Sequence, residues 1–145
     1  MVIRKIKKTD LDRCTDILIG SYSEQPYYEK FDQNYAKKYL EQKLNCCINS
    51  SYVATVHDAI VGFIFWQISF WTNGKQAILE EIVIDKDFQG KKIGTELVKF
   101  SEKLFRKMNI KSLMLWAKND KRVVNFHRNN GFQIHDDYVV MFKNY

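Results

Sequence analysis

Apolar positions recur with two different periods along this chain, and the places where the period changes mark its elements. Val2–Lys7 reads as a short strand, and Thr9-Asp10 then opens a helix. Leu11, Cys14, Ile17 and Leu18 return at helical spacing, which predicts an amphipathic helix over Leu11–Tyr22. Pro26 interrupts, and Tyr27, Tyr28 and Phe31 make an aromatic loop. A second helix, about Gln33–Leu44, carries Tyr35, Leu40 and Leu44 on one side. Beyond it the pattern becomes strand-like. Tyr52–Val56 and Ile60–Phe70 are β-branched and aromatic runs on either side of His57-Asp58, which predicts a hairpin. Thr72-Asn73-Gly74-Lys75 is the next turn and Ala77–Ile84 the next strand. Ile93–Met108 is a strong helix, with Ile93, Leu97, Leu104, Phe105 and Met108 along one stripe. Lys111–Ala117 reads as a strand, Asp120–Asn130 as a helix with Gly131 in the C-terminal capping position, and Tyr138–Phe142 as a closing strand. The order β-α-α-β-β-β-α-β-α-β predicts an α/β fold in a single domain, residues 1–145.

Composition leaves that picture standing. With 46% hydrophobic and 28% charged residues the chain is globular, and one proline among six glycines leaves little room for linkers. The longest apolar candidate, Ile60–Phe70, is interrupted by Gly62, Gln67 and Ser69 and falls short of a bilayer span. Arg4, Lys5, Lys7 and Lys8 open the chain with no apolar segment behind them, so no signal peptide and no membrane association are expected, and the expected location is cytoplasmic. Cys14, Cys46 and Cys47 form neither a disulfide framework nor the spaced pairs of a zinc site, and no metal is expected. The net charge of +6 attracts polyanions: nucleic acid, an anionic membrane or a phosphate-rich cofactor. The lysines are spread along helices rather than gathered with aromatics, which disfavours nucleic acid.

The informative stretch runs from Ile82 to Thr95. A strand ends at Ile84, a short loop bearing Gly90 follows, and a long helix begins at Ile93. That arrangement aims free backbone amides and the positive end of a helix dipole at one point. Gly94 lets a ligand approach the first helical turn, and Lys91 and Lys92 add charge. Neither the Walker spacing nor a GxGxxG fingerprint is present. On spacing alone the segment is either an anion site or a plain strand-to-helix connection with surface lysines.

Gln89-Gly90-Lys91-Lys92-Ile93-Gly94 resembles the Gln/Arg-x-x-Gly-x-Gly/Ala loop with which GNAT acetyltransferases hold the coenzyme A pyrophosphate. Glu80–Asp85 resembles the strand before that loop, and Asn125–Phe132 the family's Asn-Phe-Tyr-x-x-x-Gly-Phe helix end. The match covers roughly Ile78–Phe132; the first half of the chain agrees in element order only. Two positions depart from the pattern: Lys92 replaces the middle glycine and His127 the tyrosine. A side chain at Lys92 is expected to be tolerated if the backbone there stays helical.

The resemblance implies a mixed, mostly antiparallel sheet and acetyl-CoA as co-substrate. The pyrophosphate would lie on the amides of Gln89, Gly90, Lys91, Lys92, Ile93, Gly94 and Thr95. Ile82, Val83 and Ile84 would present their main chain to the pantetheine arm like an added strand. Asn119 and Asn125 would contact the arm or the phosphates from the other side of a splayed pair of strands, with Phe126 as apolar wall.

The implied reaction is attack of a primary amine on the thioester. An alkyl ammonium has a pKa near ~10, so a base must remove a proton at neutral pH. Glu80 is the first candidate, matching the glutamate of polyamine acetyltransferases, and Glu81 the second; strand alternation puts the two on opposite faces. His127 is a candidate proton donor to the leaving thiolate. Tyr27 and Tyr28 are the best candidates among the aromatics for the acceptor pocket, where cation–π contact suits an ammonium. Core packing is the expectation for most of Phe31, Trp66, Phe70 and Trp71. The nearest branch is that of polyamine and aminoglycoside 6'-N-acetyltransferases, which implies a small-molecule acceptor. A protein or peptide acceptor, or a degenerate acetyl-CoA binder, are the alternatives. Many relatives are dimers, so a homodimer is compatible with the resemblance.

Overall fold

The strand-like runs pair into one sheet whose strands stand in chain order, β1 (Val2–Lys5), β2 (Tyr52–Val56), β3 (Ala59–Trp71), β4 (Gly74–Ile84) and β5 (Ile110–Met114). The computed structural model describes every residue, Met1–Tyr145. The first three pairings are antiparallel, and β4 and β5 run parallel. His57 and Asp58 both take positive φ (47° and 64°) between the paired residues Val56 and Ala59, which is the backbone of a tight hairpin turn matched to the twist of its strands.

Helices cover both faces. On one lie α1 (Leu11–Tyr22) and α2 (Gln33–Cys47), which bury Leu11, Cys14, Ile17 and Leu18, and Ala36, Leu40 and Leu44, against Val53, Phe63, Phe65 and Val83. On the other lies α3 (Ile93–Lys107), whose Ile93, Leu97, Val98 and Phe105 pack on Ala54, Ile64, Trp66, Ala77 and Leu79. Each fully buried large side chain contributes about 1.5–3 kcal/mol. Asp32 caps α2 by accepting from the amides of Asn34 and Tyr35. Asp120 does the same for α4 (Lys121–Asn129), accepting from Arg122 and Val123. The end of α4 closes with the Phe132 amide on the His127 carbonyl, across Gly131 at φ +87°.

The expected closing strand is absent. Tyr138–Phe142 pairs with nothing, Val139 and Phe142 are 81% and 90% exposed, and the outer edge of β5 stays open. Strand propensity describes how a side chain fits a pleated, half-buried surface, and here no neighbouring ladder supplies that surface. The element order is therefore the expected one without its last strand.

β4 and β5 pair only as far as Ile78 opposite Met114. From there β4 runs on to Ile84 paired with β3 only, while the chain beyond β5 turns into α4. A wedge opens between them. Its mouth is the loop from Asp85 to Lys92, and its far wall is α4.

Candidate active site

β4 carries a bulge at its two acidic residues. Phe65 pairs with Glu81 and the next residue of β3, Trp66, pairs with Leu79, so Glu80 is an extra residue without a partner. Such a bulge cancels one step of the pleat. Glu80 and Glu81 therefore both face α1 and α2, and the opposite faces expected from strict alternation are not found. Lys43 of α2 forms an ion pair with Glu80, whose side chain is only 6% exposed. Tyr39 of α2 donates to Glu81 Oε1 at 2.6 Å, and the Tyr22 hydroxyl at the end of α1 lies 3.2 and 3.3 Å from the two Glu81 oxygens. Burial pushes the Glu81 carboxyl up to about 7, and the neighbouring Glu80 charge works in the same direction. The two tyrosine hydrogen bonds and Lys43 oppose that rise. Glu81 thus has the poise of a base working near neutrality, whereas Glu80 is already held by a cation.

Aromatic rings roof this acidic pair. Tyr22 stacks on Tyr27 with centroids 4.4 Å apart and meets Phe31 edge-on at 5.5 Å, and Phe31 continues to Tyr39 at 6.3 Å. Lys43 Nζ lies 5.5 Å from the Tyr39 ring centre and Lys118 Nζ 5.5 Å from that of Tyr27, so these rings already receive cations. Tyr27 lines the wedge, but Tyr28 is exposed and stands away from it. At φ 52° the Tyr28 backbone is left-handed, and its side chain leaves the aromatic group. Trp66 lies in the core beneath α3, and Phe70 and Trp71 are exposed at the far hairpin.

The wedge encloses a cavity of about 360 Å³. Ile82, Val83 and Ile84 form one side, Gln89, Gly90, Lys92, Ile93, Gly94 and Thr95 the mouth, and Phe126 and His127 the other side. The first helical bond of α3 runs from the Glu96 amide to the Lys92 carbonyl, which leaves the amides of the first turn, Ile93, Gly94 and Thr95, without an intrahelical partner. The Gln89 amide, expected to be an anion donor too, is taken up by the Lys86 carbonyl. Gly90 has φ +75°, and a Cβ there would touch nothing within 4 Å. Lys92 itself has φ +63°. The helical backbone expected for it is not what the loop uses: the position is left-handed, as a glycine would prefer, and lysine holds it with strain. Gly94 also differs from expectation. A Cβ on it would stand 3.0 Å from Phe126 Cζ and 3.1 Å from Cε2, so its missing side chain makes room for the ring of α4 as well as for a ligand. Lys91 folds back, donating to the Asp87 carbonyl and covering the Phe88 ring, and does not line the cavity.

The α4 wall departs most from the sequence reading. Asn119 and Asn125 are exposed and outside the cavity lining. In their place stand Arg122 and Val123 in the first turn of α4. Arg122 donates to Gln89 Oε1 at 2.7 Å, and Gln89 Nε2 donates to the Ile84 carbonyl at 3.2 Å, so one chain of bonds ties the strand, the loop and α4 together. No motif in the sequence marked Arg122; its signal is the Asp120 cap, which fixes that first turn. His127 does line the cavity. It lies between Phe126 and Phe132, edge-on to each at 5.1 and 5.9 Å, and its Nδ1 is buried without a partner. Burial lowers its pKa below the usual histidine value, which favours the neutral ring.

The site is thus a splayed parallel strand pair with amide donors at its mouth and aromatic rings, backed by two carboxylates, at its inner end. The chain belongs to the acetyltransferase (GNAT) family, whose model matches residues 11–132. It is 26% identical over 137 residues to an uncharacterized N-acetyltransferase of Methanocaldococcus jannaschii, covering 90% of this chain and 60% of that protein. The chain thus spans about 60% of the length of the curated relative it matches. Among solved structures, a Pyrococcus horikoshii OT3 protein is 28% identical with a TM-score of 0.77, over 91% of this chain and 88% of that one. A possible acetyltransferase from Clostridium difficile 630 shares the fold with a TM-score of 0.82 at 19% identity, over 99% and 97% of the two chains.

Proposed function

We propose that this protein transfers the acetyl group of acetyl-CoA to a primary amine of a small molecule, with Glu81 as the base. The observation that carries the reading is the single wedge joining two unlike ends. At the mouth are free amides, Lys92 and Arg122, suited to a pyrophosphate; at the floor are stacked tyrosines backed by a carboxylate poised near neutrality, suited to an ammonium.

Bound acetyl-CoA supplies an activated thioester. The loop and α4 hold its phosphates, and the edge of β4 at Ile82–Ile84, paired with β3 on one side and left open by β5 on the other, orients its arm. The acceptor ammonium loses a proton toward Glu81; its nitrogen then forms the bond to the thioester carbon, the carbon–sulfur bond breaks, and the departing thiolate takes up the second proton that the nitrogen sheds as it becomes an amide. Glu80 stays paired with Lys43 and sets the field around Glu81. His127, neutral and enclosed by phenylalanines, serves as wall, and a thiolate leaves without an imidazolium donor.

Two measurements test this. Calorimetry should show coenzyme A binding in metal-free buffer, and a panel of polyamines, aminoglycosides, amino acids and peptides should show amine-dependent thiol release from acetyl-CoA. Absence of coenzyme A binding overturns the reading, and turnover confined to peptides replaces its acceptor class.

A further inference from the structure

Tyr22 belongs both to the cavity wall and to the hydrogen-bond shell of Glu81. The cavity is lined by Tyr22 but not by Glu81, and the Tyr22 hydroxyl is in hydrogen-bond contact with both carboxylate oxygens. The ring is held on two sides, stacked on Tyr27 and edge-on to Phe31, so the hydroxyl has a fixed address. Tyr39, which donates to the same carboxylate at 2.6 Å, does not line the cavity. One tyrosine therefore faces both the ligand and the base, and the other faces the base alone.

We propose that Tyr22 is the proton relay of this site: the acceptor ammonium gives its proton to Tyr22 Oη while the Tyr22 hydroxyl proton passes to Glu81. The balance is closed within these groups. The nitrogen–hydrogen bond of the ammonium breaks and an oxygen–hydrogen bond to Tyr22 forms. The original Tyr22 oxygen–hydrogen bond breaks and one to a Glu81 oxygen forms. The amine is left neutral, Tyr22 is unchanged and Glu81 is protonated. Because the two transfers are coupled, Tyr22 never stands as a phenolate, which its buried position beside Glu81 strongly disfavours. The groups facing this relay are Tyr22 from α1, Tyr27 from the following loop, Tyr39 and Lys43 from α2, and Glu80 from β4. This inference rests on the acetyl-transfer reading given above.

The test compares Tyr22→Phe, Tyr39→Phe, Glu81→Gln and the Tyr22→Phe/Glu81→Gln pair, using acetyl-CoA and the best acceptor of the amine panel. Tyr22→Phe keeps the stacked ring and removes only the hydroxyl. It is expected to lower kcat about 10²–10⁴-fold at neutral pH, the usual span for lost general-base catalysis, with acetyl-CoA affinity unchanged within about twofold. The deficit should close as pH approaches ~10, where the amine deprotonates unaided. The double variant should be no slower than Glu81→Gln alone. Tyr39→Phe should move the acid limb of the rate profile upward and keep most of the rate at its plateau. A Tyr22→Phe enzyme with the parent's kcat overturns the relay and leaves Glu81 as a direct base, and a deficit of constant size at every pH also overturns it, in favour of a structural role. A folded parent that binds acetyl-CoA and releases no thiol with any amine overturns the acetyl-transfer reading itself.

Discussion

The Tyr39 hydroxyl sits 2.6 Å from Glu81 Oε1, so the helix α2 holds the carboxylate of a bulged strand at a fixed depth. Because burial raises this carboxyl from its ordinary 4.5 to about 7, the folded state favours its protonated form. The sign follows from linkage: the folded state is at its best below the unfolded pKa, and stability falls as pH rises from there through about 7. Glu81→Gln removes that dependence. In chemical denaturation at pH 8 the variant should be more stable than the parent, by at most about 3 kcal/mol, and at pH 4 the two should agree. The same substitution should abolish the acid limb of the rate profile near pH 7.

Gly94→Val should weaken coenzyme A binding at least tenfold and also lower stability by about 1–3 kcal/mol, the usual range for overpacking. The added carbon meets Phe126 at 3.0 Å, so α4 must give way. Calorimetry and a denaturant midpoint on the same sample check both effects, and an unchanged midpoint contradicts the packing account.

Lys92→Gly should raise stability by about 1 kcal/mol, because glycine accepts φ +63° without the strain that a side chain meets there. Lys92→Ala, which keeps a Cβ, should not. A matched pair of thermal melts distinguishes conformational relief from loss of charge.

Asp120→Ala removes the acceptor for the Arg122 and Val123 amides and should cost about 1 kcal/mol. The effect should reach the loop through the bond from Arg122 to Gln89. Coenzyme A affinity should therefore fall although residue 120 does not line the cavity, which a titration of the variant against the parent measures.

The parts of this molecule legible from sequence are those with a period or a backbone rule behind them. Leu11–Tyr22 and Tyr52–Val56 have the bounds that hydrophobic spacing predicted, and Ile93 opens its helix where the strand-to-loop pattern placed it. The loop at the mouth of the wedge was visible because its glycine and lysines sit between a strand and an amphipathic helix. The bulge was not: Glu80 and Glu81 are ordinary strand residues, and only the register against Phe65 and Trp66 shows that both face one way. Tyr22 was hidden as the last residue of an amphipathic helix, since its spacing says core while its hydroxyl reaches Glu81. Asn119 and Asn125 were carried by motif likeness, but the turn that aims α4 presents Arg122 and Val123 instead. The terminal Tyr138–Phe142 has the composition of a strand, and composition cannot supply a neighbour.

The extra residue in β4 makes position 80 a matter of chain length before it is one of chemistry. Changing the side chain there, as in Glu80→Gln, alters the partner of Lys43 and the field around Glu81 but leaves the backbone register as it is. Deleting the residue restores an unbroken pleat, and every side chain on one side of the cut must then trade faces with its neighbour. Either Glu81 and Val83 turn toward α3, or Ala77 and Leu79 leave the core beneath it. Insertions and deletions in this strand are thus far more damaging than substitutions, and a single-codon deletion at 80 should yield insoluble protein where the glutamine variant folds.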